Sequence, residues 1–301
     1  MMLPPEIPRT PFTWPQAKAR GLSRHRLDEL VAEGVVRRVL RNVYVRADAA
    51  DSQLLRAQAA RLVLSPFVVI CDRTAAWIWG VDTFAYRELE ILPPLETYAL
   101  RGHTRARREG CEGGIRDLAP EDVCDVGGVA VTTRLRTALD LACKLSRRDA
   151  LAALDGFMRV HGLTRPELRR ELRRYFRRRG VVQARQLVGL ADPRAESPGE
   201  SWTRMAAVDA GLPVPELQWW VHDGGRPVFR LDMAYPKSRV ALEYDGREFH
   251  ERAEAQARDE ARRRWLREHG WTVIVVTKES FTPDALAAWT GELRDALRVR
   301  R

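Results

Sequence analysis

Two short β-forming stretches in the last third of the chain constrain its fold more than any other feature, because apolar and acidic residues alternate in both. In residues 229–235 the apolar Phe229, Leu231, Met233 and Tyr235 occupy every second position, which in a strand puts them on one face and Asp232 on the other. In residues 240–245, Val240, Leu242 and Tyr244 alternate in the same way with Glu243 and Asp245. If Lys237-Ser238 is the tip of a two-residue hairpin, Asp232 stands across from Glu243 and three carboxylates crowd one patch. Like charges facing each other on a sheet repel, so a compensating cation is expected. A hard divalent ion such as Mg²⁺ or Mn²⁺ takes oxygen donors of this kind, often completing its shell with phosphate oxygens, and can activate water for attack on a phosphoryl group. Pairing with Arg230 and Arg239 is the alternative, purely structural, way to offset the repulsion.

The surrounding pattern predicts an α-β-β-β-α-β-α order. Ser197 is an expected N-cap with Pro198 at the first helical position and Glu200 at the third, a capping box. Glu200 is either that capping partner alone or a further acid at the site. A turn at Asp223-Gly224-Gly225 separates the first two strands, a helix is expected over 251–268 and closed by Gly270, a strand over 271–277, and a last helix over 283–297. After Asp245, Gly246 permits a tight turn, and Arg247 and His250 follow. His250 is read as a general acid–base or phosphate contact, or as a helix-start residue without chemical role. Asp259 and Arg262, three residues apart on the long helix, read more simply as a surface ion pair.

At the other end, residues 12–46 predict helix, turn, helix and β-hairpin. Thr13 and Ser23 are N-caps, Gly21 and Gly34 stops, and Leu27, Leu30 and Val31 the buried stripe of the second helix. Arg41-Asn42 forms the bend between strands over 35–40 and 43–45. The middle is less legible. A buried strand is expected within 63–71, a helical turn over 75–80, and helices over 136–143, 149–160 and 165–179. The last carries Leu168, Leu172, Tyr175 and Phe176 as its apolar stripe under a coat of arginines, either a solvated face or a phosphate track. Residues 191–195 read as a linker.

Composition narrows the partners. The net charge of +10 favours a polyanion, although 47 arginines against four lysines is also what a compositional bias produces. No apolar run approaches the roughly 20 residues needed to cross a bilayer, and no secretory signal opens the chain. A cytoplasmic, membrane-free protein is expected. The four scattered cysteines, Cys71, Cys111, Cys124 and Cys143, lack zinc or disulfide spacing and are expected to be buried thiols.

With these residues in place, two resemblances are specific. Residues 231–234 followed by 241–250 resemble the D…ExDGxxH signature of a domain family related to very-short-patch-repair (Vsr-like) endonucleases, within the PD-(D/E)XK nuclease superfamily. Glu196-Ser197-Pro198-Gly199-Glu200 upstream and Arg258-Asp259, Arg262 and Gly270-Trp271 downstream extend it. The resemblance implies an α/β nuclease-like domain with an αβββαβ core over 195–301. It makes Asp232, Glu243 and Glu200 metal-binding acids and Asp245 and His250 catalytic partners. The superfamily's lysine, two residues after the second acid, is replaced by Asp245, which leaves the cationic role to His250 or Arg247. Residues 21–44, through Gly21-Leu22-Ser23-Arg24, Leu27, Gly34, Arg37-Arg38-Val39 and Val43-Tyr44, resemble the winged helix-turn-helix domain of AbiEi-type antitoxins. Asn42 stands where that family has glycine.

The expected organisation is a winged helix over 8–50, an α+β region of open role over 51–190, and the nuclease-like domain. Double-stranded DNA is the expected partner, contacted by Arg24, His25 and Arg26 on the second helix, by Arg37, Arg38 and Arg41 on the wing, and by Arg247. A partner toxin is implied by the antitoxin resemblance. Two functions compete: a metal-dependent DNA endonuclease acting in phage defence or repair, and an antitoxin-like DNA-binding regulator whose nuclease domain does not cleave. A winged helix used for protein contacts is a third.

Overall fold

The computed structural model describes residues 7–83, 93–107, 109–246 and 253–299. The chain divides into two compact units, Met1–Asp140 and Leu141–Arg301. It is mixed α/β, with three sheets among the described residues.

The first unit opens with β1 (Phe12–Thr13), α1 (Trp14–Ala19), α2 (Arg24–Ala32), β2 (Val36–Leu40) and β3 (Val43–Arg46). The strands form an antiparallel sheet ordered β1-β3-β2, of which β1 was not anticipated. Ser23 caps α2 by accepting the Arg26 amide at 3.1 Å, which satisfies one of the amides that a helix start leaves without partners. Asn42 takes the bend with φ +64. Phe12, Leu27, Leu30, Val36 and Tyr44 form the core of this block. Val31, expected on the same stripe, is 37% exposed, because that core covers only the Leu27–Leu30 flank of the helix.

Next come α3 (Gln53–Arg61), β4 (Val68–Ile70), α4 (Asp72–Ile78), β5 (Leu95–Leu100), β6 (Cys111–Glu112), β7 (Ile115–Arg116), β8 (Val123–Val126), β9 (Val129–Thr132) and α5 (Arg134–Lys144). They build a six-stranded sheet ordered β6-β5-β4-β9-β8, with β7 pairing on β5. The strand expected within 63–71 is short, since the amides of Val63 and Leu64 still bond back to Ala60 at the end of α3.

The second unit contains α6 (Arg147–His161), α7 (Arg165–Glu171), α8 (Val181–Leu190) and α9 (Pro198–Asp209). It continues with β10 (Glu216–Asp223), β11 (Arg226–Tyr235), β12 (Val240–Asp245), α10 (Ala253–Glu268), β13 (Thr272–Thr277) and α11 (Pro283–Val299). From α9 onward the order is the anticipated α-β-β-β-α-β-α. The sheet runs β10-β11-β12-β13, antiparallel except for the parallel pair β12–β13 that α10 connects. One face carries Leu217, Met233, Val240, Leu242 and Ile274 against α9 and α11, through Ala207, Trp289 and Leu293. The other carries Val221, Leu231, Ala234 and Ala241 against Leu266 and Trp265 of α10.

Several local expectations need correction. Leu231 and Phe229 do not share a face with Met233 and Tyr235, because the pair β10–β11 exchanges faces between Leu231 and Met233. Opposite that step Gln218 adopts φ +53, and the ladder passes from Leu217↔Met233 to Trp219↔Leu231 without pairing it. The β11–β12 tip is not two residues but a 3-10 turn, Pro236–Ser238, closed by Arg239 at φ +48. The stretch 191–195 is no loose linker. The Asp192 amide donates to Asp155 at 2.7 Å, and Ala191 and Ala195 are buried. The basic helix ends at Glu171, tightens into a 3-10 turn over Leu172–Tyr175, and stops as Arg177 turns left-handed with φ +61, so Phe176 is swung out to 70% exposure. The four cysteines form no disulfide among the described residues, and only Cys71 is buried.

Candidate functional site

The acids converge, and the reason is local. In β12 Glu243 and Asp245 share the face of Ala241, the side against which α10 packs. In β11 Asp232 lies on the face of Ala234, just past the exchange of faces. Glu200 comes in from the first turn of α9. These four, with Ser197, Asp259, Arg262 and Arg263, line one cavity of about 330 Å³. The register that places Met233 opposite Leu242 is the anticipated one, but the ladder ends there. Asp232 spends an oxygen on the Tyr244 amide at 3.2 Å instead of facing Glu243 through the ladder.

Each carboxylate already has protein donors. Glu200 Oε2 accepts from the Glu196 amide at 2.9 Å and from Gln218 Nε2 at 3.1 Å, and Oε1 accepts from Ser197 Oγ at 2.9 Å. The capping box is therefore only half made: Ser197 caps the Glu200 amide, while the Glu200 carboxylate reaches the residue before Ser197. Arg262 donates to Glu243 and, at 3.1 Å, to the carbonyl of Arg230. Arg263 donates to Asp245 at 3.1 Å, and its Nε stands 3.8 Å from Glu243. Arg262 is thus a site residue rather than a surface partner of Asp259. Arg230 pairs with Glu196 at 2.9 Å and acts on Asp232 as a nearby charge, while Arg239 reaches the His269 carbonyl.

Burial holds the carboxyls of Glu200, Asp232 and Glu243 above their ordinary range; at Asp232 the Tyr244 amide and Arg262 pull the other way, and at Glu243 Arg262 does. The oxygens are the right type for a hard divalent ion. Among the described residues no three Asp, Glu, His or Cys gather into a metal-holding group. Guanidinium groups occupy Glu243 and Asp245, whereas Glu200 and Asp232 accept from amide and hydroxyl donors. Arg247 and His250 lie outside the described residues.

On α2 the expected DNA contacts are exposed or half-exposed, yet each is paired within the helix. Arg24 meets Asp28 at 3.3 Å, His25 meets Glu29 at 3.0 Å, and Arg26 meets Glu29 at 3.0 Å and Glu33 at 3.2 Å. Arg37 is tied to the Ala49 carbonyl at 3.2 Å and to Asp51 at 3.7 Å. Arg38 lies 5.8 Å over the Tyr44 ring and is exposed, as is Arg41.

A second charged cluster was not anticipated. Arg116 donates to Asp72 at 2.6 and 2.8 Å and to Asp140 at 2.8 Å, and stacks 3.7 Å over the Tyr98 ring. Arg136 bonds Asp140 at 2.9 Å and Asp122 at 2.6 Å. The acids are buried, and Asp72 sits at φ +53. Burial pushes the neighbouring Cys71 thiol far up, so it is an inert thiol rather than a nucleophile. These residues come from five separate elements and turns, and the one local signal among them is the four-residue spacing of Arg136 and Asp140 on α5.

Residues 68–190 match the family model described as the AbiEi antitoxin C-terminal domain. The antitoxin relationship therefore falls on the region whose role the sequence left open, C-terminal to residues 8–50, where the resemblance had placed it. Residues 68–190 hold the buried ion cluster and α6. Over 285 residues, 92% of this chain and 99% of theirs, the chain is 35% identical to two Mycobacterium tuberculosis proteins, the uncharacterized protein MT2308 of strain CDC 1551 and the uncharacterized protein Rv2248 of strain H37Rv. Among the described residues no helix is long and apolar enough to cross a membrane.

Proposed function

We propose that this chain, which belongs to one family with those two mycobacterial proteins, is an antitoxin-type DNA-binding protein that docks on duplex DNA through residues 12–46 as a winged helix. The observation that carries the reading is the pairing of α1 and the Ser23-capped α2 with the three-stranded sheet β1-β3-β2, an arrangement suited to laying one helix in a groove and a β-hairpin along the backbone. The match over 68–190 supports a toxin–antitoxin role with a partner toxin. Ion pairs on the exposed face of α2 are weak because solvent screens them, so phosphates can replace Asp28 and Glu29 as partners of Arg24 and Arg26. The test is a mobility shift of the full chain on duplex DNA. Arg38→Gln with Arg41→Gln should weaken binding about tenfold irrespective of sequence, whereas Arg24→Gln with Arg26→Gln should also flatten differences between sequences. Full-strength binding by both double variants removes the winged-helix reading.

One observation favours a second reading, cleavage by a metal-dependent endonuclease of the PD-(D/E)XK type: Glu200, Asp232, Glu243 and Asp245 line a single cavity. It requires a divalent ion to displace Arg262 and Arg263 from the acids. Plasmid and linear duplex with Mg²⁺ or Mn²⁺, beside Asp232→Asn and Glu243→Gln, decide it. Intact DNA with both metals, or equal cutting by the variants, eliminates cleavage and leaves the DNA-binding reading standing.

A further inference from the structure

The chain's positive charge is not spread evenly. Residues 165–179 hold eight arginines against Glu167 and Glu171, six of the ten net positive charges in one-twentieth of the sequence. The helix proposed to enter the DNA groove is the opposite case, since Arg24 and Arg26 are outnumbered by Asp28, Glu29 and Glu33. Electrostatic attraction to a polyanion must therefore come from elsewhere on the molecule.

The 165–179 segment is built to present its charge. Leu168, Leu172 and Tyr175 are buried at 0, 4 and 2% exposure and anchor it to its own unit. A capping box at Thr164 and Glu167 fixes its start. At its end Gly180, with φ +80, lies so close to the Cys143 carbonyl that an added Cβ would stand 2.0 Å from that oxygen. Between these anchors the side chains of Arg169, Arg170, Arg173 and Arg179 point outward and are exposed. Among the described residues no carboxylate stands within ion-pair distance of Arg169, Arg173 or Arg179. Phe176, 70% exposed, stands among them with Arg177 5.2 Å over its ring.

We infer that this arginine segment is a second nucleic-acid surface, which grips the phosphate backbone of duplex DNA and sets Phe176 against the groove. Guanidinium groups suit phosphate oxygens by geometry as well as charge, and each neutralised phosphate releases counterions. An exposed apolar ring beside a basic track is the arrangement with which minor-groove binders wedge base steps. A lipid surface fits less well. An interfacial helix needs a continuous apolar face to insert, and here that face is consumed by the protein's own core, leaving one ring.

The inference rests on the DNA-binding reading and extends it. The test is fluorescence anisotropy of the full chain on a labelled duplex of about 30 base pairs, titrated between about 50 and 200 mM salt. Arg→Gln at Arg169, Arg170, Arg173 and Arg179 together should lower the slope of log affinity against log salt by about 3 to 4, since each phosphate contact contributes about 0.9. The corresponding four Arg→Lys changes should keep the slope, which separates lost charge from lost fold. Phe176→Ala should weaken binding about threefold or more and leave the slope unchanged, because an apolar contact releases no counterions. An unchanged slope in the Arg→Gln variant overturns the inference. So does loss of binding to anionic phosphatidylglycerol vesicles with duplex binding intact, which would assign the segment to a membrane. Failure of the wild-type chain to bind duplex at low salt removes the DNA-binding reading itself, a different result from binding with an unaltered slope.

Discussion

Arg263 donates to Asp245 across 3.1 Å while its Nε, buried beside Glu243, has no hydrogen-bond acceptor. The chain thus supplies from α10 the cation that its acids demand. Arg263→Gln should remove the guanidinium shared by Glu243 and Asp245, which stand two residues apart on one face of β12. The expected loss is about 1–2 kcal/mol, below the roughly 3–5 of a fully buried pair because both partners keep some water. Urea unfolding at neutral pH measures it, and a loss under a few tenths would mean the pair is incidental. Under the cleavage reading, Mn²⁺ bound to the Arg262→Gln, Arg263→Gln chain, followed by electron paramagnetic resonance, should be tighter than to wild type.

Asp232 provides a pH-dependent counterpart. Burial raises its carboxyl above the ordinary value of about 3.9, so the folded state holds that proton at a pH where the unfolded chain has released it. Stability then falls as pH rises through that interval, and the cost is fully present above the folded value. Asp232→Asn keeps an acceptor for the Tyr244 amide and removes the buried charge. It should raise stability by about 1 kcal/mol at neutral pH, since the desolvated charge is gone. The advantage should vanish in melts below the unfolded value. A variant less stable at every pH would show that the carboxylate is structurally required.

Gly199 places the first turn of α9 against the Tyr244 ring. A Cβ there would lie 2.0 Å from the ring's Cε1, so Gly199→Ala must push Tyr244 and with it the strand carrying Glu243 and Asp245. We expect about 1–3 kcal/mol of destabilisation, the usual range for overpacking, relieved when Tyr244→Ala is added. Equal losses in both backgrounds would place the strain elsewhere.

Ser23→Ala removes the cap of α2 and should cost about 1 kcal/mol. Thermal melts with duplex-binding measurements test whether the frayed first turn, which carries Arg24, His25 and Arg26, also weakens DNA contact. Unaltered melts would mean that solvent caps this helix equally well.

What could be read ahead of the structure follows from how locally each feature is encoded. Ser23, Ser197 and Gly34 act within one turn of chain, and the alternation in residues 240–245 needs only the strand itself, so these elements and the acids of β12 stood out. The exchange of faces at Asp232 depends on Gln218, a residue that does not advertise φ +53 as glycine would. The same applies to Arg177, whose left-handed backbone ends the arginine segment. The counter-cations of the site are half legible: helical spacing offers Arg262 a partner in Asp259 and points neither it nor Arg263 to β12, because only the packing of α10 on Ala241 brings them to the acids. In the cluster of Asp72, Arg116, Asp122, Arg136 and Asp140 only the Arg136–Asp140 pair, four residues apart on α5, is local, and tertiary pairing brings in the rest.

The exchange of faces in β10–β11 has a further consequence for how this unit comes apart. The half of the ribbon holding Leu217 and Met233 belongs to the layer of α9 and α11, and the half holding Val221 and Leu231 belongs to the layer of α10. Both layers therefore rest on the same two paired strands. Local openings that usually let one flank of a domain breathe by itself are therefore coupled through this ribbon, and those amides of β10 and β11 that pair with each other on either side of Gln218 should exchange with solvent at similar rates.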